Sequence, residues 1–282
     1  MKCFYHTDVD GKCAGAIVKK FYDEHDDKGR EKTEEYIGID YKDDFPFESI
    51  ILNETVIIVD FSLQKEGDFD RLKTITDKII WIDHHKTAIE KHKDFQCAGV
   101  RYDGKSGCEL AWEYFFPQKE MPLAVTFAGR YDVWDFSQHG NMLNEFQSGI
   151  RLFDHYPESE IWNKLLNGNA EIDSILSKGQ IALRFRTNRY TSLIKSFSFY
   201  AEFEGYKAIC CNVGSTSSQL FDSVDELTYD IMCPFVFDGK QWTVSIYTKK
   251  DIDCSVIAKK YGGGGHKKAA GFQCLELPFK KI

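Results

Sequence analysis

Apolar residues recur along the first half of this chain in short bursts separated by stretches of helical periodicity. Residues 2–5, 36–39, 56–59 and 79–82 are compact runs rich in β-branched and aromatic side chains, and each reads as a strand. Residues 12–22 place Ala14, Ile17, Val18 and Phe21 at helical spacing, and residues 66–75 and 107–116 read as further helices. Such alternation predicts an α/β domain with a mostly parallel sheet. Residues 158–200 read as a helix or helix pair, with few breakers beyond Gly168 and Gly179. Residues 207–212, 229–237 and 241–248 then read as strands, with Asp238-Gly239 as a hairpin turn between the last two, and residues 254–261 as a helix. The pattern predicts three parts. They are a larger N-terminal α/β domain over 1–160, a helical connector over 161–200, and a smaller C-terminal α/β domain over 201–282.

Composition narrows the setting. The chain has 282 residues and no apolar run near the length of a membrane span. Its first residues pass from Lys2-Cys3-Phe4-Tyr5 straight to polar side chains, without the apolar core of a signal peptide, so a cytoplasmic location is expected. Nine cysteines are scattered with no Cys-x-x-Cys pair, which argues for reduced core thiols over a zinc knuckle or redox motif. The net charge is −8 and uneven. Residues 176–200 carry five basic and no acidic side chains, and residues 201–282 balance ten against ten. The whole acidic excess therefore lies in residues 1–175. That part suits cations and does not suit long duplex DNA, which wants a broad basic surface.

The cations have an evident destination. Three strand-like runs end in metal-ligand chemistry: His6-Thr7-Asp8-Val9-Asp10-Gly11 after the first, Asp60 after Val56-Ile57-Ile58-Val59, and Asp83-His84-His85 after Ile79-Ile80-Trp81-Ile82. In open parallel sheets, sites collect at the carboxyl ends of strands, so distant residues meet along one edge. In an extended segment, positions 6, 8 and 10 point the same way, and His-x-Asp-x-Asp can serve one or two cations. Gly11 then relieves crowding where the chain turns into a helix. Carboxylates with some imidazole suit manganese or magnesium better than thiol-seeking metals. Two such ions can share a bridging carboxylate, for which Asp60 is the natural candidate. Taken singly, each residue has a plainer account: an Asp after a strand is commonly a cap or turn former. Their order, each after an apolar run, favours a shared site.

These motifs resemble those of the DHH phosphoesterase superfamily with its C-terminal DHH-associated domain. The resemblance covers nearly the whole chain: His6-Thr7-Asp8-Val9-Asp10-Gly11, Val59-Asp60, Asp83-His84-His85, Asp132 in Gly129-Arg130-Tyr131-Asp132, and Gly263-Gly264-Gly265-His266-Lys267-Lys268-Ala269-Ala270-Gly271. It implies two Mn2+ ions, with Mg2+ or Co2+ able to substitute. His6 and Asp8 would hold the first, and Asp10, His84 and Asp132 the second, with Asp60 between them. Asp83 would orient a ligand histidine, and His85 would reach a phosphoryl oxygen. Asp135 competes with Asp132 for the fourth motif.

Consecutive glycines let backbone approach an anion, and residues 267–270 are expected to open a helix whose N-terminus favours phosphate. By the resemblance, Gly263, Gly264, Gly265 and His266 form the substrate-recognition loop. Arg184, Arg186 and Arg189 are candidates for further phosphate contacts, although arginines on a helix are more often simply solvated. Ser215-Thr216-Ser217-Ser218 reads as a hydroxyl-rich helix start. The compact two-domain form is similar to the nanoRNase (oligoribonuclease) group. That implies hydrolysis of short RNA or DNA oligonucleotides or dinucleotides to mononucleotides, in a cleft between the two domains. Three other activities share much of this pattern: a RecJ-type exonuclease on single-stranded DNA, a family II inorganic pyrophosphatase, and a nucleotide-binding regulator without catalysis. A membrane partner is not expected, and the sequence leaves a homodimer open.

Overall fold

The computed structural model describes residues 1–25 and 34–282. The chain divides into two compact units, Met1–Leu183 and Arg184–Ile282.

The first unit is built on a parallel four-stranded sheet of order β2-β1-β3-β4, with β1 Lys2–His6, β2 Glu35–Ile39, β3 Val56–Val59 and β4 Ile79–Ile82. Helix α1 (Val9–His25) follows β1, and α2 (Asp68–Ile75) joins β3 to β4. Strands β1, β3 and β4 are almost wholly buried on both faces, which accounts for their continuous apolar runs, while β2 at the edge is half-exposed. Alternate residues serve two cores. Cys3, Tyr5, Ile57, Val59 and Ile82 pack with α1 and with α4 (Gly107–Phe115), α5 (Leu123–Asp132), α6 (Met142–Ile150) and α7 (Glu160–Leu166). Phe4, Val56, Ile58, Ile79 and Trp81 pack on the other face with Phe61, Leu63, Phe69 and Leu72. A short helix α3 (Lys86–Lys91) follows β4. The chain leaves β1 towards one side of the sheet and β3 towards the other. The ends of β1 and β3 therefore flank the switch point where open α/β sheets form their crevice.

Helix α8 (Ile172–Phe197) contributes Ile172, Ile175 and Leu176 to the first core and Ile194 to the second unit. The division between units falls inside this helix, in the stretch expected to be the connector. The helix stops at Phe197, earlier than the sequence suggests, because residues 198–203 pair as a strand with the following one.

The second unit is a seven-stranded sheet of order β11-β5-β6-β7-β8-β10-β9. Its strands are β5 Ser198–Phe203, β6 Tyr206–Asn212, β7 Ile231–Phe237, β8 Trp242–Tyr247, β9 Gly264–His266, β10 Ala269–Cys274 and β11 Lys280–Lys281. All its pairings are antiparallel except β6 with β7. Asp238-Gly239 turns β7 into β8, as expected, with Gly239 at φ 98°. Helix α9 (Cys254–Lys260) covers one face. All nine cysteines are free thiols. Among the described residues no helix is long and apolar enough to cross a membrane.

Candidate metal centre

The first ligands sit in a strand-to-helix turn. Strand β1 ends at His6, and Asp8 then caps α1: its Oδ1 accepts the Gly11 amide at 2.8 Å. Its Oδ2 lies 3.1 Å from His6 Nδ1. Asp10 is already in the first helical turn. The expectation of one extended segment for positions 6, 8 and 10 is therefore corrected. The cap starts the helix at Val9, and Asp10 reaches the edge from the helix. Gly11 is needed there, since a Cβ would fall 2.1 Å from the His6 carbonyl oxygen.

Asp10 is anchored from a second helix. Its two oxygens accept the amides of Gly107 at 2.8 Å and Cys108 at 3.0 Å, the open N-terminal donors of α4. Unpaired amides and the helix dipole both favour a carboxylate there. Helix α4 begins with a capping box, in which Ser106 and Glu109 satisfy each other's backbone amides. Glu109 also receives Nε and Nη2 of Arg130 at 2.8 and 2.5 Å, tying α4 to α5.

Asp60 follows β3 with φ 53°, a left-handed conformation uncommon outside glycine, and its amide donates to Ile82 at 2.9 Å. Its Oδ1 is 3.1 Å from His84 Nε2, and its Oδ2 is 3.7 Å from His6 Nδ1. Asp132, the last residue of α5, brings Oδ2 to 3.3 Å from the same His84 nitrogen, and Asp10 Oδ2 stands 3.9 Å from it. Asp135 does not compete: it binds Ser137 Oγ at 2.6 Å and faces Arg130 at 3.4 Å. Ligand atoms therefore gather, within 4.8 Å in each case, as His6–Asp8–Asp60, as Asp10–His84–Asp132 and as Asp60–His84–His85.

These residues fit divalent cations. Both oxygens of Asp60, Nδ1 of His6 and Nε2 of His84 are buried and make no well-formed hydrogen bond. Such groups are costly unless something binds them. Burial, then Asp10 and Asp8, push the Asp60 carboxyl well above the ordinary range. Burial, then Asp10 and Asp60, push Asp132 up to about 9. Burial works against charge on His6, yet Asp60 and Asp8 overcome it and raise the imidazole to about 11. A cluster this short of positive charge is one that cations relieve.

Gly107 packs directly against Asp60, since a Cβ there would lie 2.5 Å from the Asp60 Cβ. We predict that Gly107→Ala weakens manganese binding at least tenfold and lowers stability by about 2 kcal/mol through overpacking. Calorimetric titration and urea unfolding check both. Unchanged affinity would mean that the two elements can part without cost.

Asp83 is fully buried. Its Oδ1 accepts the backbone amides of His84 and His85 at 2.8 and 3.2 Å and faces His85 Nδ1 at 2.8 Å. The ring it orients is therefore His85. It reaches the ligand-side His84 only through backbone, in contrast to the expectation of a held ligand ring. Burial disfavours charge on His85, but the Asp83 bond outweighs it and raises the imidazole.

Two neighbours escaped the sequence reading. Tyr41 places its hydroxyl 3.2 Å from His85 Nε2, stacks on Phe61 with centroids 5.2 Å apart, and lies 5.2 Å from the His6 ring. Asp40 Oδ1 is 3.7 Å from His6 Nε2. Both follow β2, so the strand-end rule that selected His6, Asp60 and Asp83 selects them too.

The glycine motif lies in the second unit and differs from expectation. Residues 267–270 do not start a helix; Gly264–His266 and Ala269–Cys274 form a hairpin, and the second strand pairs along β8. Two of the glycines answer to packing. A Cβ on Gly263 would meet the Gly271 carbonyl oxygen at 2.1 Å, and Gly265 adopts φ 136° against Ala269 and Ala270. Gly264 and the His266 side chain are exposed, as is Arg184 on α8. Ser217 caps the short helix at Ser218–Phe221, accepting the Gln219 amide at 3.4 Å.

The site is thus an open parallel sheet with acid and imidazole groups gathered along its carboxyl edge. Residues 3–129 match the DHH family, N-terminal domain. Asp132 lies just beyond the match. The uncharacterized protein R106 of Acanthamoeba polyphaga mimivirus is 28% identical over 255 residues, covering 82% of this chain and 57% of its own. The chain thus spans little more than half the length of that relative. Among solved structures, the pGpG-specific phosphodiesterase PggH from Vibrio cholerae aligns over 97% of this chain and 93% of its own, at 13% identity and TM-score 0.57. The exonuclease RecJ bound to manganese aligns over 96% and 84%, at 16% identity and TM-score 0.53. At these identities the two structures share the fold.

Proposed function

We propose that this chain is a manganese-dependent phosphodiesterase that hydrolyses short oligonucleotides or dinucleotides to mononucleotides. The observation that carries the reading is the pair of ligand sets, His6–Asp8–Asp60 and Asp10–His84–Asp132, adjoining at Asp60. Two divalent ions held there would supply an activated water and offset charge at phosphorus. The protein's own groups do the rest. The α4 amides hold Asp10 in place. Asp83 fixes the His85 ring through Nδ1 and favours its protonated form, whose Nε2–H can turn from Tyr41 to a non-bridging phosphoryl oxygen, where negative charge grows as the leaving oxygen departs. Tyr41 flanks that nitrogen and limits the positions the ring can take.

The short-substrate reading is supported by the likeness to a phosphodiesterase specific for the dinucleotide pGpG, and manganese by the likeness to RecJ with that ion bound. The acidic balance of the first unit disfavours long nucleic acid. Nine free thiols suit a cytoplasmic site of action. Exposed His266 and its glycine hairpin are the recognition element we assign to the second unit, with Arg184 as a further phosphate contact.

A substrate panel with manganese tests the reading, using RNA and DNA from dinucleotides to about twenty-four nucleotides, cyclic dinucleotides and pyrophosphate. We expect dinucleotides to be the best substrates and mononucleotides the products. Preference for long single strands would install the exonuclease reading, cleavage of pyrophosphate alone the pyrophosphatase reading, and no turnover a regulator. In the same assay His266→Ala is predicted to raise KM for a dinucleotide about tenfold with kcat nearly kept. Unaltered dinucleotide kinetics would remove the hairpin from recognition.

A further inference from the structure

Helix α5 ends on a carboxylate of the metal edge and is closed by an unusual residue. Asp132 is its last member, Val133 caps it, and the chain then turns back on the helix. The Trp134 amide donates to the Tyr131 carbonyl at 3.1 Å, and the Asp135 amide to the Arg130 carbonyl at 2.8 Å. This pair of bonds is a Schellman closure, whose left-handed residue is usually glycine. Here it is Trp134, at φ 57°. A left-handed backbone crowds any Cβ, and for a bulky side chain such a φ is a true outlier. The other non-glycine residues with positive φ among the described residues are Asn53, Asp60, Glu204 and Ser215, all of them polar. Side chains fix the turn further. Asp135 accepts Ser137 Oγ at 2.6 Å and the Ser137 amide at 3.1 Å, and it faces Arg130 at 3.4 Å.

Ending the helix does not call for an indole, since glycine would close the same turn without strain. The core does not call for it either. Trp134 is 63% exposed, the most exposed aromatic side chain of the first unit among the described residues. Its ring meets those of Tyr131 and Phe136 with centroids 5.6 and 5.0 Å apart, at interplanar angles of 65° and 74°. Neither neighbour lies stacked on the indole, so they hold it in place and leave it a flat face. Trp134 also stands two residues after Asp132, whose Oδ2 is 3.3 Å from His84 Nε2. The two Cα atoms are therefore within about 7 Å of each other. Strain of this kind, kept beside a site, points to a use for the side chain that it places.

We propose that Trp134 is a stacking platform for a nucleobase, that of a nucleoside adjoining the phosphodiester held at the metal centre. The nature of the ligand rests on the phosphodiesterase reading above. Every base has a π face to lay on an indole, so the contact tolerates any sequence and favours the larger purine ring. A platform built into the closure of α5 is fixed to the same helix end as Asp132. The base is thereby registered against the metal edge.

The test is equilibrium binding to the full-length protein with manganese. One probe is an adenylyl dinucleotide whose internal linkage is a methylene phosphonate, which keeps the charge and resists cleavage. Two further probes each lack one of its bases. We expect removal of one of the two bases to weaken binding to the parent about tenfold. That loss should shrink below about twofold in Trp134→Gly and return with Trp134→Phe. Metal-free Trp134→Gly should melt no lower than the parent, since glycine relieves the left-handed turn. Equal affinity of the three probes for the parent would overturn the platform, and so would a base effect that survives Trp134→Gly. A Trp134→Gly protein that melts several degrees lower would overturn the reading of the ring as placed for a ligand and not for packing. Binding is read without turnover. Failure of hydrolysis in the panel above, with the base effect intact, would remove the phosphodiesterase reading and leave the platform standing.

Discussion

Replacing Asp60 by asparagine is expected to abolish manganese-dependent hydrolysis while raising the melting temperature of the metal-free protein. The two effects have one cause. Asp60 is 1% exposed, both its oxygens lack hydrogen-bond donors, and Asp10 and Asp8 face it. Holding a charge there without a cation costs stability, and the neutral amide removes that cost. A gain of about 1 kcal/mol is expected, a few degrees in a chain of this size. The sign can be followed through pH. Burial and neighbouring acids raise the Asp60 carboxyl above its ordinary 3.8 and Asp132 up to about 9. Their contribution to stability is complete below the unfolded value and is lost as pH rises through the folded one. The asparagine variant should therefore gain on the parent above pH ~4 and match it below. With manganese the order reverses, because the ions stabilise only the parent. Hydrolysis should fall on the order of a thousandfold or more. Thermal melts with EDTA and with manganese, at two pH values, read all of this. A variant less stable than the parent in EDTA would show that Asp60 is held by something other than a cation.

Asp83→Asn is the second large effect. One oxygen of Asp83 serves the amides of two histidines and faces the ring of His85. Asparagine can still accept at that oxygen, so the backbone turn should survive. What goes is the negative charge that holds His85 Nδ1–H and favours the imidazolium, the form that can also donate through Nε2. We expect kcat to drop about a hundredfold, with manganese stoichiometry kept and KM little changed. Activity together with metal content measures it. Loss of one ion would place Asp83 in support of His84. An unchanged kcat would remove His85 from the reaction.

Much of this centre was legible before any coordinates. Val56–Val59 and Ile79–Ile82 are read to the residue, because both faces of those strands are buried and every position must be apolar. Their order in a parallel sheet then carries His6, Asp60 and His84 to one edge. What failed had local physical causes. Asp10 was assigned to extended chain because the cap at Asp8, which starts the helix early, is a hydrogen bond and leaves no mark on periodicity. The sequence reads residues 267–270, after the glycines, as the start of a helix. Pairing along β8 decided otherwise, a case of tertiary contact overriding propensity. Asp40 and Tyr41 were within reach of the strand-end rule but belong to no familiar motif. The support of Asp10 by Gly107 and Cys108 spans nearly a hundred positions, and nothing in either segment announces the other.

The Glu109 side chain has a further consequence. It closes the capping box that shapes the amides holding Asp10, and it grips Arg130, two residues before Asp132. The two carboxylates that flank His84 thus lean on one buttress, set behind both. Slack at Glu109 would pass to both sides of the imidazole at once. The second ion should then be gained or lost as a unit, and the first would feel it through Asp60. Loading of this centre should for that reason be steep in metal concentration, a property set by a residue that touches neither ion.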